Sequence, residues 1–222
     1  MYFMTGEGYT ILSMPSELFG FIIGFQRMLR GIKSCFEDNT YLNNIWNKAI
    51  DGSLALMTEN ILRGHVVDSL HILKFIIEAA VQSLYLFVKN EGDEETIWRE
   101  LRLRGKHATS FSVRMIINLP NTPGLIKKDM RRVYVEIAKY SHPTYEILRN
   151  TIILAAGEAS SFKMVLELTK QALDYVAYLA LRICKLRSCL MHPELSIESI
   201  HNYVCSMQLK RACKYVGKIT RK

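Results

Sequence analysis

The chain has 222 residues, with 29 lysines and arginines against 21 acidic residues, a net charge of +8, 49% hydrophobic and 23% charged residues. That composition excludes disorder, and the length supports a substantial core, read as one domain over 1–222, without metal or disulfide staples. The positive field favours anionic partners, among them nucleic acid, nucleotides and acidic membrane surfaces.

Residues 1–12 are expected to fray. Ser13 or Ser16 can cap a first helix with Pro15 near its first turn. Phe19, Ile22, Ile23, Met28 and Leu29 carry it toward Phe36. Asp38, Asn39 and Thr40 then make a turn and a new cap. A second helix is expected over 41–62, weakened at Gly52, and a third over 65–89. Asn90 to Glu95 reads as an acidic turn with Asp93 as cap, and the glutamates after it suit the positive end of a helix dipole. A fourth helix follows over 94–118, with a break near Gly105.

The segment LPNTPG, 119–124, is the strongest loop signal in the chain. Thr122 is placed as the cap of a fifth helix, with Pro123 at its first position, running to Ser141. Pro143 disfavours helix in the residue before it, so the chain turns at His142. A sixth helix is expected over 144–156. The longest helix, 160–190, repeats Phe162, Leu166, Thr169, Leu173, Val176, Ala180 and Ile183 at three- and four-residue steps. Such a seam packs against a partner helix, within the chain or across a dimer. Pro193 opens a final helix over 194–216, and 217–222 are expected to fray. Strand signals are nearly absent. The expected fold class is all-α, an antiparallel helical bundle of about seven to nine helices with long C-terminal helices.

The run 70–88, LHILKFIIEAAVQSLYLFV, is apolar on nearly every side, yet Lys74, Glu78 and Gln82 recur every fourth residue. On a helix these stack on one face, so the polar stripe must meet water, a partner group or a ligand. Charges in its middle would be costly in lipid, so no stable membrane insertion is expected. The opening MYFMTGEGYT lacks the basic cluster of a secretory signal. Cys35, Cys184, Cys189, Cys205 and Cys213 form no C-x-x-C pair, and a cytoplasmic chain with buried thiols is the simplest account. One internal disulfide is the alternative.

Four constellations could carry chemistry. The first is the stripe His71, Lys74, Glu78 and Gln82, either a solvent-facing strip or a polar groove between helices that takes a small anion. The second is VYVEIAKYSHPTYE, 133–146. Here His142 ends a helix beside Ser141, and Tyr134, Tyr140 and Tyr145 lie near the basic Lys127, Lys128, Arg131 and Arg132. Tyrosines and a histidine in that setting can stack on and hold a nucleotide; equally, they can fill core edges around a His-Pro turn. The third is Arg-x(4)-His, at Arg102–His107 and Arg187–His192, where arginine can stabilise a phosphate while histidine moves a proton. Two matches are close to the chance expectation. The fourth is the tail 210–222, with six basic residues and no acid. On a surface it would bind phosphate backbones; as a frayed terminus it is only a solvated end. No spacing of Asp, Glu and His points to a metal, and no cofactor motif is present.

The apolar helix with a basic residue four before a glutamate (LHILKFIIEAAVQSLYL), followed by a helix ending in VYVEIAKYSHPT, resembles prokaryotic helical proteins related to the HEPN superfamily. The resemblance covers residues 68–146. It implies a helical bundle, often dimeric, that binds RNA or nucleotides, and in ribonuclease members an Arg-x(4–6)-His motif at a dimer cleft. Glu78 and His142 match; Lys74 stands where relatives usually carry arginine, which alone makes a bidentate fork. Arg187 and His192 fit the ribonuclease motif best, with Ser188 where asparagine often follows. The resemblance thus implies a metal-independent ribonuclease of a defence or toxin system, with His142, Arg187 and His192 as catalytic candidates. Lys74, Glu78, Arg131, Arg132, Tyr134, Tyr140 and Ser141 are binding candidates, and a homo-oligomer, a dimer, is expected. The competing reading is a non-catalytic scaffold that binds a protein partner through the seam from Phe162 to Ile183.

Overall fold

The structure is a computed structural model that describes residues 8–63, 65–105, 113–140, 159–189 and 197–219. Its helices are α1 (Gly8–Gly31), α2 (Ser34–Glu37), α3 (Thr40–Asn43), a π-helical segment (Asn44–Ile50), α4 (Asp51–Leu62), α5 (Val66–Lys89), α6 (Glu94–Gly105), α7 (Val113–Ile117), α8 (Gly124–Lys139), α9 (Ala159–Leu186), α10 (Ile197–Ser206) and α11 (Lys210–Ile219). No strand occurs among the described residues, so the all-α expectation holds, in more and shorter pieces than expected. The expected helix at 144–156 lies outside the described residues.

Two helices form the centre. α9 is buried at every residue from 172 to 184, the pattern of a helix enclosed by others. It packs against α1, α5, α8 and α11, while α5 also meets α4. The expected seam is therefore filled from within the chain: Leu166, Thr169, Leu173, Val176, Ala180 and Ile183 are all buried. For these residues the within-chain alternative holds, since the chain's own helices cover them. Residues 68–89 of α5 are long and apolar enough to cross a bilayer by length and composition, and half of that window is buried inside the fold.

The expected helix over 41–62 contains a π turn. Leu42, Trp46, Ile50 and Leu54 are all buried and stand four apart. On an α-helix of 3.6 residues per turn, each such step drifts by about 40°. The wider π winding holds the four on one face. Trp46 is fixed there by a hydrogen bond to Ser83 Oγ on α5 (3.1 Å) and by stacking on Phe36.

Several helix ends use left-handed residues that are not glycine. Gln208 (φ 59°) terminates α10: its N–H bonds the Cys205 carbonyl and the Leu209 N–H bonds the Val204 carbonyl. That paired closure is a Schellman turn, and it splits the expected 194–216 helix in two. Glu91 and Gly92 close α5 in the same way, with the Gly92 N–H on the Phe87 carbonyl (2.8 Å). Asp93 then caps α6 as expected, accepting from the Thr96 N–H at 3.0 Å. Thr122 is not a cap. It is buried, its hydroxyl donates to the Pro120 carbonyl (3.1 Å) and accepts from Arg182, and Pro123 precedes the helix instead. α1 begins at Gly8 and runs through Pro15, earlier than the expected serine cap.

The thiol expectation is corrected as well. Cys35 and Cys189 form a disulfide across 154 residues, and Cys205 and Cys213 form a second across eight. Cys184 alone is free, and burial pushes its thiol far above the usual range. Disulfides persist in oxidising compartments and in the intracellular proteins of hyperthermophiles.

Candidate functional site

The stripe on α5 faces α8. Tyr134 donates its phenol to Glu78 Oε1 at 2.6 Å, and Lys74 Nζ lies 4.0 Å from the same oxygen. Lys74 and Glu78 side chains are 23% and 25% exposed, so the pair reaches water at its rim yet is not a free surface strip. His71 Nε2–H donates to the Tyr140 carbonyl at 2.6 Å, since a carbonyl can only accept; this assigns the ring's tautomer. α5 and α8 are thus joined by polar contacts at two levels. Burial, then the hydrogen bond to Glu78 and its charge, hold the Tyr134 phenol above its ordinary pKa. Burial also raises that of Tyr140, whose hydroxyl meets Met164 Sδ at 2.9 Å.

Six of the seven expected binding residues lie among the described residues. Lys74, Glu78 and Tyr134 meet at one point, and Tyr140 lies one level along the same interface. Both tyrosines are buried, so their ring faces cannot stack on a base; the core-filling alternative holds for them. Arg131 and Arg132 are exposed on α8 and are not part of this cluster. Ser141, His142 and His192 lie outside the described residues.

Arg187 sits elsewhere. Its guanidinium is ion-paired with Asp38 and lies 6.0 Å from the centre of the Phe87 ring. Phe87 is nine residues beyond Glu78, about 14 Å along α5. Arg187 does not join the Lys74–Glu78 cluster, and its charge is already engaged.

Of the basic tail, residues 210–219 form a helix, so the helical expectation to 216 extends to 219 and the solvated-end alternative does not hold for these residues. α11 buries Ala212 and Val216 against its neighbours and presents Lys210, Lys214 and Lys218, every fourth residue, as an exposed row. Its first turn is capped from α9: Asp174 accepts from the backbone N–H groups of Arg211 (3.0 Å) and Ala212 (3.1 Å). The Arg211 guanidinium also bonds Asp174 (3.1 Å), approaches Asp129 of α8 (3.6 Å), and lies 4.2 Å over the Tyr175 ring. Asp129 also approaches Arg132 (3.7 Å). A carboxylate shared by two guanidinium groups thus links α8 to the first turn of α11.

Between them opens a cavity of about 370 Å³, lined by Arg132, Lys170, Lys210, Arg211, Glu167 and Asp174 among others. Its charges largely cancel, since Lys170 is held by Glu17 (2.6 Å) and Arg211 by two aspartates. The uncancelled charge lies on its rims. Lys128, Arg131, Lys210, Lys214 and Lys218 are exposed and make no ion pair with a described residue. Sequence spacing showed each row but not their apposition, which depends on Asp129 and Asp174.

No protein-family model, curated protein or solved structure matches this chain.

Proposed function

We propose that the protein is a HEPN-like RNA- or nucleotide-binding protein that holds the phosphate backbone on the joined basic face of α8 and α11. The observation that carries this reading is the apposition, through Asp129, of two helices whose outward faces bear Lys128, Arg131 and Arg132 on one side and Lys210, Lys214 and Lys218 on the other. Flexible, unpaired lysines on an ordered helix suit repeated phosphates better than a single small anion, because each can follow one charge of a polymer. A net charge of +8 would steer such a polymer toward the surface.

The reading is one of binding first. In the ribonuclease mechanism implied by the HEPN resemblance, a histidine deprotonates the ribose 2′-hydroxyl and an arginine stabilises the pentavalent phosphate. Arg187 would have to leave Asp38 to serve there, and cleavage otherwise rests on His142 and His192. Anisotropy of a labelled single-stranded RNA, measured with wild type and with the triple variant Lys210→Gln, Lys214→Gln, Lys218→Gln, tests the proposal. Equal affinity of the two at low salt would end it. RNA incubated in chelator with wild type, His142→Ala and His192→Ala tests the catalytic extension; cleavage by wild type and loss in either variant is its expected outcome.

A further inference from the structure

The α10–α11 hairpin brings together His201, Cys205 and Cys213. The imidazole nitrogen and both sulfurs lie within 4.8 Å of one another. His201 and Cys205 are four residues apart on α10 and so share a face, and Cys213 comes from the first turn of α11. The three are neither buried nor fully exposed, so a small ion or reductant can reach them. α11 presents Gly217 to the histidine: a Cβ there would stand 3.1 Å from His201 Nε2. The glycine lets α11 approach that ring closely, where any side chain would crowd it.

In the structure the two sulfurs are bonded to each other. We propose that reduction of this disulfide creates a zinc-type metal site, with Cys205, Cys213 and His201 as three ligands and the fourth position open to water. A cellular dithiol supplies the two electrons. The S–S bond breaks to two thiols while the dithiol closes to its own disulfide. Zinc then displaces the two thiol protons and is bound by two thiolates and a neutral imidazole. Tetrahedral zinc, with bonds of about 2.3 Å to sulfur and about 2.0 Å to nitrogen, sets donor separations of about 3.5–3.8 Å. The two sulfurs, once unbonded, must part from about 2 Å to about 3.8 Å, and the imidazole must close on them by about 1 Å, both by side-chain rotation. The Cα atoms of the two cysteines, 5.0 Å apart, need not move.

A second cluster, Cys35, Cys184 and Cys189, meets the same distance limit. It is a poorer site. Cys35 and Cys184 are fully enclosed, burial holds the Cys184 thiol protonated, and the Arg187 cation stands beside it.

The test uses the full chain, reduced with a phosphine that is then removed, and cobalt(II) as a spectroscopic stand-in for zinc. Reduced protein is expected to take up one cobalt per chain, with thiolate-to-cobalt charge-transfer absorption and the visible bands of a tetrahedral ion. Oxidised protein is expected to take up none. Cys205→Ser should abolish the spectrum, and His201→Ala should weaken binding by about tenfold or more, while Cys35→Ser/Cys189→Ser retains it. With unmutated reduced protein, zinc should protect Cys205 and Cys213 from alkylation, as read by mass spectrometry. Absence of cobalt binding by reduced wild type, persistence of the spectrum in Cys205→Ser, or zinc protection confined to Cys35 and Cys189 would overturn the proposal.

Discussion

Tyr134 of α8 donates its phenol to Glu78 of α5 at 2.6 Å, and so gives the carboxylate in an oily helix a partner from the facing element. Lys74, at 4.0 Å, adds only a weak, half-solvated attraction. Tyr134→Phe should therefore destabilise the fold by about 1–2 kcal/mol, the lower range for a hydrogen bond to a charged group whose lone pairs water can partly reach. Urea denaturation measures it, and an unchanged midpoint would show that the contact contributes nothing.

The buried phenols set an alkaline limit. Burial holds Tyr41 and Tyr134 above the ordinary tyrosine value, and burial, moderated by the Arg211 cation, pushes Tyr175 up to about 12. A folded pKa above the unfolded one stabilises the protein fully below pH about 10, and that contribution is lost as pH rises through the folded value. Stability should thus be flat near neutrality with respect to these groups and fall between pH about 10 and 12. Ultraviolet titration should show phenolate absorbance appearing together with loss of helical circular dichroism.

The Tyr41 and Tyr175 hydroxyls are buried without a hydrogen-bond partner among the described residues. Replacing either by phenylalanine keeps the ring and removes an unsatisfied group. Tyr41→Phe is expected to raise stability by up to about 1 kcal/mol, in contrast to the loss at Tyr134. A fall in thermal midpoint would reveal a partner for that hydroxyl.

Arg182 is a buried cation that pairs with no carboxylate among the described residues. It donates to the Pro120 carbonyl (2.8 Å) and the Thr122 hydroxyl, and stands 5.8 Å from the Tyr178 ring centre. Its fork pins the loop before α8. Arg182→Lys keeps the charge but cannot make both bonds, and should cost about 1–3 kcal/mol. Faster amide exchange at 119–124 would locate the damage.

RNA affinity should fall log-linearly with salt. For a single strand each phosphate neutralised contributes about 0.7 to the slope. The triple lysine variant of α11 should therefore flatten the slope by about 2. A slope unchanged while affinity drops would place the lysines outside the contact.

Much of the architecture was legible because helical spacing is local. Lys74 and Glu78 revealed their shared face, Asp93 its cap, and the seam of α9 its burial. What escaped depends on long-range pairing. The Asp174 carboxylate caps a helix 37 positions away, and Arg182 reaches back to Thr122. Neither leaves a local signature, and the turn at Gln208 uses a left-handed residue without glycine or proline to announce it. The four-residue repeat Leu42, Trp46, Ile50, Leu54 did carry the π segment, as a period slightly too long for an α-helix.

The Cys35–Cys189 bond has a consequence for cleavage. A single peptide-bond cut anywhere between those positions leaves both fragments covalently attached. Nicked protein should migrate intact on a non-reducing gel and separate only after thiol treatment.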